Sequence, residues 1–269
     1  MWRRAALATL AALCLPGLCA CSDPARERFE RAEKALLAQK MEAALADYRS
    51  IPRDFPQSRY APAALLRQGD LFGSFYRNHE AALEAYDSLA FNYPQAAEVP
   101  RAALRKAEIH LLQFFDHAAA VAELELVRRQ FPRFEGMDEA LILLAKAYAG
   151  MNDPARQQAA LVELVEKHPD SPRAMEARWT VAYALLAQGK FPEADREFRK
   201  ILYLAPDRKS AARARWGIAQ ALEGEGDLPA ALEAYRAIGQ DGEDPASLAE
   251  KIARLSERVK GEGGSPRGR

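Results

Sequence analysis

The side chain in this sequence most able to form a covalent bond is the thiol, and all three thiols, Cys14, Cys19 and Cys21, fall within the first 21 residues. Arg3 and Arg4 open the chain, and Ala5 to Leu18 is an uncharged apolar run broken only by Thr9, Pro16 and Gly17. A charged start, a short apolar stretch and a small residue (Ala20) before a cut are the marks of a secretory signal. The run is about 14 residues, whereas a membrane-spanning helix needs roughly 20. Cleavage before Cys21 removes Cys14 and Cys19 and leaves Cys21 as the one cysteine of the mature chain, at its new N-terminus. An oxidising compartment normally pairs cysteines, so a single one needs another use. Acylation of its sulfur supplies one. With one thiol left, an intramolecular disulfide, a thiolate metal site and a cysteine nucleophile are all excluded.

Leu18-Cys19-Ala20-Cys21 resembles the bacterial lipobox, in which Leu, a variable residue and a small residue precede the cysteine that is lipidated and then exposed. The alternatives are an ordinary signal peptide cut nearby and an uncleaved anchor. Lipidation at Cys21 makes residues 1–20 a lipoprotein signal peptide and the lipid the membrane anchor. Ser22, rather than Asp, after the cysteine points to the outer membrane, periplasmic side, by the sorting rule of enteric bacteria.

No other chemistry stands out. The histidines are His79, His110, His117 and His168, without metal-ligand spacing such as HExxH. His79 falls in a turn and His168 before Pro169, both structural places. The sequence has no GxSxG, P-loop or GxGxxG motif, and its carboxylates are scattered. The expectation is a non-enzymatic protein with no catalytic residue, metal, cofactor or small-molecule substrate. Of 38 basic residues, 36 remain after Arg3 and Arg4 are removed, against 38 acidic. Such a balance lacks the basic footprint of a nucleic-acid binder. Residues 21–269 are ample for a sizeable core.

The rest of the chain is periodic. Phe55-Pro56-Gln57-Ser58, Tyr93-Pro94-Gln95-Ala96, Phe131-Pro132-Arg133, His168-Pro169-Asp170-Ser171 and Ala205-Pro206-Asp207 are one recurring turn, its prolines 38, 38, 37 and 37 residues apart, with Pro245 a further 39 on. Twelve residues before the first five prolines sit Ala44, Ala82, Ala120, Gln157 and Ala194. Four later come Tyr48, Tyr86, Leu124, Leu161 and Phe198, and three later again Ile51, Leu89, Val127, Leu164 and Ile201; the sixth copy gives Ala231, Tyr235 and Ile238. Steps of four and three put these on one helix face. Proline then ends the helix, because it lacks an amide hydrogen and disfavours helical geometry in its predecessor. Each unit reads as a first helix, a tight turn, a second helix and a Pro turn.

This pattern resembles the tetratricopeptide repeat and implies an all-α solenoid of helix hairpins: six repeats over 21–245, a capping helix over 246–260 and a disordered tail over 261–269. The period of 37–38 exceeds the family's 34. In the second and third units, counting back twelve residues from Ala82 and Ala120 meets Asp70 and Glu108, with Gly69 and Ala107 one place earlier, which implies one extra residue in those first helices. In the family's pattern, a concave groove is lined by first-helix positions three before and one after a small residue. That implies Phe29 and Glu33 by Ala32, Ile142 and Lys146 by Ala145, Trp179 and Tyr183 by Ala182, and Trp216 and Gln220 by Ala219, with Arg67 and Arg105 near the same surface. Trp and Arg are over-represented among residues that dominate binding energy. The other reading of the tryptophans is packing between adjacent repeats alone.

A lipobox, a first helix starting soon after it and successive FPxS/YPxS-type turns resemble the BamD family of scaffold lipoproteins in outer-membrane β-barrel assembly. The repeats are also similar to the C-terminal part of the Tol-Pal system protein CpoB. Here there are six near-uniform units, without BamD's longer insertion between middle repeats and without CpoB's N-terminal coiled coil. The resemblance implies envelope proteins as partners, and the short stretch of Ser22, Asp23 and Pro24 between Cys21 and the first helix predicts that one of them is membrane-proximal. The alternative is an adaptor in peptidoglycan–Tol coordination or polysaccharide export.

Overall fold

The computed structural model describes residues 23–239 and 244–263, so Cys21, the expected signal segment and residues 264–269 lie outside the described residues. Among the described residues there are thirteen α-helices and no strand. They form six hairpins, α1 (Pro24–Leu37) with α2 (Met41–Asp54), α3 (Tyr60–Asp70) with α4 (His79–Asn92), α5 (Val99–Ile109) with α6 (His117–Gln130), α7 (Met137–Gly150) with α8 (Pro154–Lys167), α9 (Ala174–Ala187) with α10 (Phe191–Leu204), and α11 (Arg208–Glu225) with α12 (Leu228–Arg236), followed by α13 (Pro245–Gly263). Each helix packs chiefly on its predecessor and successor, which is the quasi-one-dimensional contact pattern of a solenoid. No helix of the described residues is long and apolar enough to cross a membrane.

The small–aromatic–aliphatic stripe is the core. Ala44, Tyr48 and Ile51, and likewise Ala194, Phe198 and Ile201, are fully buried. Gln157, which replaces the small residue in the fourth unit, is only half-buried, while Leu161 and Leu164 keep the stripe covered. Four of the six second helices start at side-chain caps, α2 and α10 opening at Lys40 and Lys190 without one. Asn78, Asp116, Asp153 and Asp227 accept from the amides of Ala81, Ala119, Arg156 and Ala230 at 2.9–3.1 Å, satisfying donors the helix cannot.

The extra residue of the second and third units takes the form of a π-helical turn, π1 (Leu71–Phe75) after α3 and π2 (His110–Phe114) after α5. In every hairpin the residue that opens the second helix donates its amide back to the first. Lys40, Asp153, Lys190 and Asp227 reach five residues back, to the carbonyls of Ala35, Tyr148, Leu185 and Leu222. Asn78 and Asp116 reach six back, to Phe72 and His110. Each of these carbonyls lies three residues after Ala32, Gly69, Ala107, Ala145, Ala182 or Ala219, which fixes Gly69 and Ala107 as the small residues of their units. A β-carbon on Gly69 would lie 2.2 Å from the Tyr86 ring, so only glycine admits that tyrosine.

α13 departs from its expected span of 246–260. It starts at Pro245 and runs through Gly263, so residues 261–263 of the segment expected to be disordered are helical. Glycine costs a helix only about 1 kcal/mol, too little to stop a ladder already propagating.

Candidate functional site

The first helices α1, α3, α5, α7, α9 and α11 carry the expected groove positions. With the register fixed by the backbone, the residues three before the small one are Phe29, Leu66, Leu104, Ile142, Trp179 and Trp216, and those one after it are Glu33, Asp70, Glu108, Lys146, Tyr183 and Gln220. Arg67 and Arg105 therefore stand one place away from the position expected of them, which Leu66 and Leu104 fill as buried core. The extra residue lies in the π-turn, C-terminal to the small residue, and counting back across it shifts the register by one.

Both arginines are committed inside the chain. Arg67 Nε donates to Glu33 Oε1 of the preceding repeat at 3.0 Å and reaches Asp70 at 4.0 Å. Arg105 pairs with Glu108 at 2.7 Å, and that hydrogen bond raises its already high pKa. Tyr48 Oη donates to Glu33 at 2.6 Å and Tyr86 Oη to Asp70 at 2.9 Å. Burial first, then the partner carboxylate, pushes both phenols well above their ordinary range. The N-terminal half of the face thus commits both its arginines to carboxylates of its own chain. Lys146 is exposed on α7.

The C-terminal half is different. Trp179 stacks on Tyr183, centroids 5.8 Å apart and planes 18° off parallel, and both rings meet Phe198 edge-on. From the next repeat, the exposed Arg213 lays its guanidinium 4.4 Å from the Trp179 centroid and donates from Nε to Tyr183 Oη at 3.0 Å. Trp216 meets Tyr235 edge-on at 5.2 Å. Tyr183, Arg213, Trp216, Gln220, Ile238 and the start of α13 (Asp244, Ser247, Leu248) line a cleft of about 320 Å³. Trp216, Tyr183 and Gln220 are half-buried and border this space, whereas Trp179 supports it through Tyr183 and Arg213. Such a mainly apolar recess with a few directed polar groups suits a peptide side chain or chain end. Sequence reasoning missed Arg213, whose only signal was its place three residues before Trp216. It also missed Asp244 and Ser247, because α13 was read as a cap rather than a wall. Among the described residues no group of His, Cys, Asp and Glu is placed to hold a metal ion.

Residues 142–209 and 180–245 match the tetratricopeptide-repeat family profile. Solved structures with the same fold include a tetratricopeptide repeat protein from Parabacteroides merdae ATCC 43184 (16% identity over 90% of this chain and 94% of that one, TM-score 0.52). Two others are MamA from residue 41 onward, from Desulfovibrio magneticus RS-1 (19%, 68% and 95%, 0.51), and YrrB, a tetratricopeptide repeat protein with an unusual peptide-binding site (16%, 77% and 97%, 0.53). No curated protein sequence matches the chain. The chain is an all-α tetratricopeptide-type solenoid, a fold that generally serves as a non-catalytic scaffold for protein–protein interaction.

Proposed function

We propose that the protein is a scaffold lipoprotein of the bacterial cell envelope, held by lipid on Cys21 at the periplasmic side of the outer membrane. Through its C-terminal cleft it captures an envelope protein partner. The observation that carries the interaction role is the contrast along one face: arginines paired off in the N-terminal half, and half-buried aromatic rings bordering an open cleft in the C-terminal half. Four residues from Cys21 to Pro24 span at most about 14 Å, and α1 begins at Pro24, so the first repeat sits against the membrane. A BamD-type role in β-barrel assembly fits a membrane-proximal, linker-free solenoid better than a Tol-Pal or polysaccharide-export adaptor reaching across the periplasm.

Radiolabelled palmitate and membrane fractionation of Cys21→Ser test the anchor, with loss of label and release to the soluble fraction expected. Equal labelling of the variant rejects it. A photo-crosslinking residue at Gln220, which borders the cleft, tests the partner. Crosslinks to a barrel-assembly component are expected, and crosslinks to Tol-Pal or export components favour the alternative.

A further inference from the structure

The two π-turns stand side by side, at the same place in adjacent repeats, and between them lies a second cleft of about 530 Å³. Gly73 and Ser74 of π1 and Leu112 and Gln113 of π2 line it, together with Asp70, His79, Arg105 and Glu108. π-Turns inside helices frequently mark functional sites. π2 ends in Phe114 and Phe115 beside this cleft, whereas Phe75 of π1 stands edge-on to Tyr76, which faces the first repeat. Phe75 is 52% exposed, Leu112 64% and Phe115 73%. Phe114, 42% exposed, stands edge-on to His79 of the neighbouring repeat at 6.5 Å and so joins the two turns into one rim. Phe115 also holds a left-handed backbone (φ 53°), a conformation rare and costly for a bulky residue. The same turn position is left-handed in every hairpin, held by Gln39, Arg77, Asn152, Gly189 and Gly226 in the others. Leu112, Phe114 and Phe115, all exposed within four residues of one turn, are the mark of an interaction surface.

The lining charges do not cancel. Arg105 answers Glu108 first, and Asp70 is met by the Tyr86 hydroxyl and, at 4.0 Å, by an Arg67 whose Nε is committed to Glu33. The cleft therefore holds one carboxylate in excess of its guanidinium. The rim offers apolar side chains but no free strand edge, so an extended peptide would leave its backbone unpaired there. A helix satisfies its own backbone and needs only such a groove. We infer that the cleft between the π-turns docks an amphipathic helix of a protein partner, apolar face on Leu112, Phe114 and Phe115 and a basic side chain toward Asp70. A lipid surface is the wrong occupant, an argument that rests on the anchoring proposed above. The chain enters α1 at one end of the hairpins, and the π-turns lie at the other, a helix of 14 residues and so about 21 Å away. A lipid on Cys21 thus leaves this rim facing away from the bilayer.

The test uses detergent-solubilised full-length protein and two fluorescein-labelled amphipathic peptides of about four turns, one patterned from Leu and Lys, the other from Leu and Glu. Anisotropy should show the Leu/Lys peptide binding at least about tenfold more tightly. Leu112→Ser with Phe115→Ser, both exposed, should weaken it by about tenfold or more, as loss of apolar anchors does, with the melting temperature unchanged. Trp179→Ala with Trp216→Ala should leave it unaltered, which separates this site from the C-terminal cleft. No binding, equal binding of the two peptides, or an unchanged affinity in the rim variant overturns the proposal. So does sedimentation of the Cys21→Ser protein with anionic vesicles if the rim substitutions abolish it, for the occupant is then lipid. Failure of the anchor alone shows separately, as palmitate labelling of Cys21→Ser without any change in peptide binding.

Discussion

The Phe198 ring fills the space a side chain on Gly217 would need: a β-carbon there would lie 2.5 Å from ring atoms Cδ1 and Cε1. Phe198 is fully buried and belongs to α10, while Gly217 belongs to α11, so this contact sets how closely the fifth repeat's second helix approaches the sixth repeat. Gly217→Ala should destabilise by about 1–3 kcal/mol, the usual cost of overpacking, even though alanine is the better helix former. A thermal melt at or above the wild-type temperature would show that the two helices can slide apart freely.

Removing the extra residue of π2 should cost little stability. Gln113 is exposed, and its deletion would let Asp116 close on His110 across five residues, as four of the six hairpins do. Far-UV circular dichroism should stay helical, with a melting temperature within a few degrees of wild type, since local changes without buried contacts shift stability by about 0.5 kcal/mol. A collapse of the melt would mean that the π-turn is part of the core rather than a feature of the surface.

Strong acid should loosen the first hairpin. Hydrogen bonds from Arg53 and then Arg28 lower the Asp54 carboxyl from 3.8 to about 2, and the Arg28 contact ties the end of α2 to α1. A folded-state pKa below the unfolded one gives stability that is fully present above the ordinary aspartate value. That stability is lost as pH falls toward 2. Asp54→Asn should remove this part of the acid dependence between about pH 4 and 2 and leave the melt near pH 7 only slightly lower, as befits an exposed pair. An acid profile identical to wild type would reject the link.

The fold was readable in the sequence because its signal repeats. One small–aromatic–aliphatic triplet is weak evidence, but six copies held in register by Pro turns leave few other folds. The spacing also revealed the extra residue of the second and third units. It could not say whether that residue sat before or after the small position, since a π-turn is a matter of hydrogen bonds, and so it put Arg67 and Arg105 only near the groove surface. The repeat pattern singled out Trp179, Tyr183, Trp216 and Gln220, of which the last three border the C-terminal cleft. Arg213 was not readable, because a charged residue on a helix is solvated by default and only the crossing of α9 and α11 lays it over Trp179. Asp244 and Ser247 were hidden for a similar reason: the pattern gives the faces within a repeat, not the place where the terminal helix closes the stack.

The two tryptophans can now be separated by experiment. Trp216 borders the C-terminal cleft and leans on the fully buried Tyr235, whereas Trp179 is sandwiched by Tyr183 and Arg213. A fully buried Trp→Ala change costs about 3–5 kcal/mol, so these half-buried rings should cost roughly half that each, leaving the double variant folded but less stable. If the cleft captures the partner, Trp216→Ala should cut crosslinking from Gln220 about tenfold or more, the effect of losing an aromatic anchor. Trp179→Phe keeps a stacked ring on Tyr183 and should change it little. Arg213→Ala removes both the cation over Trp179 and the donor to Tyr183 Oη; it should weaken capture while barely moving the melting temperature, because the guanidinium is exposed. Equal capture by all three variants, with stability falling in proportion to buried ring area, would make the aromatics repeat-to-repeat packing and nothing more.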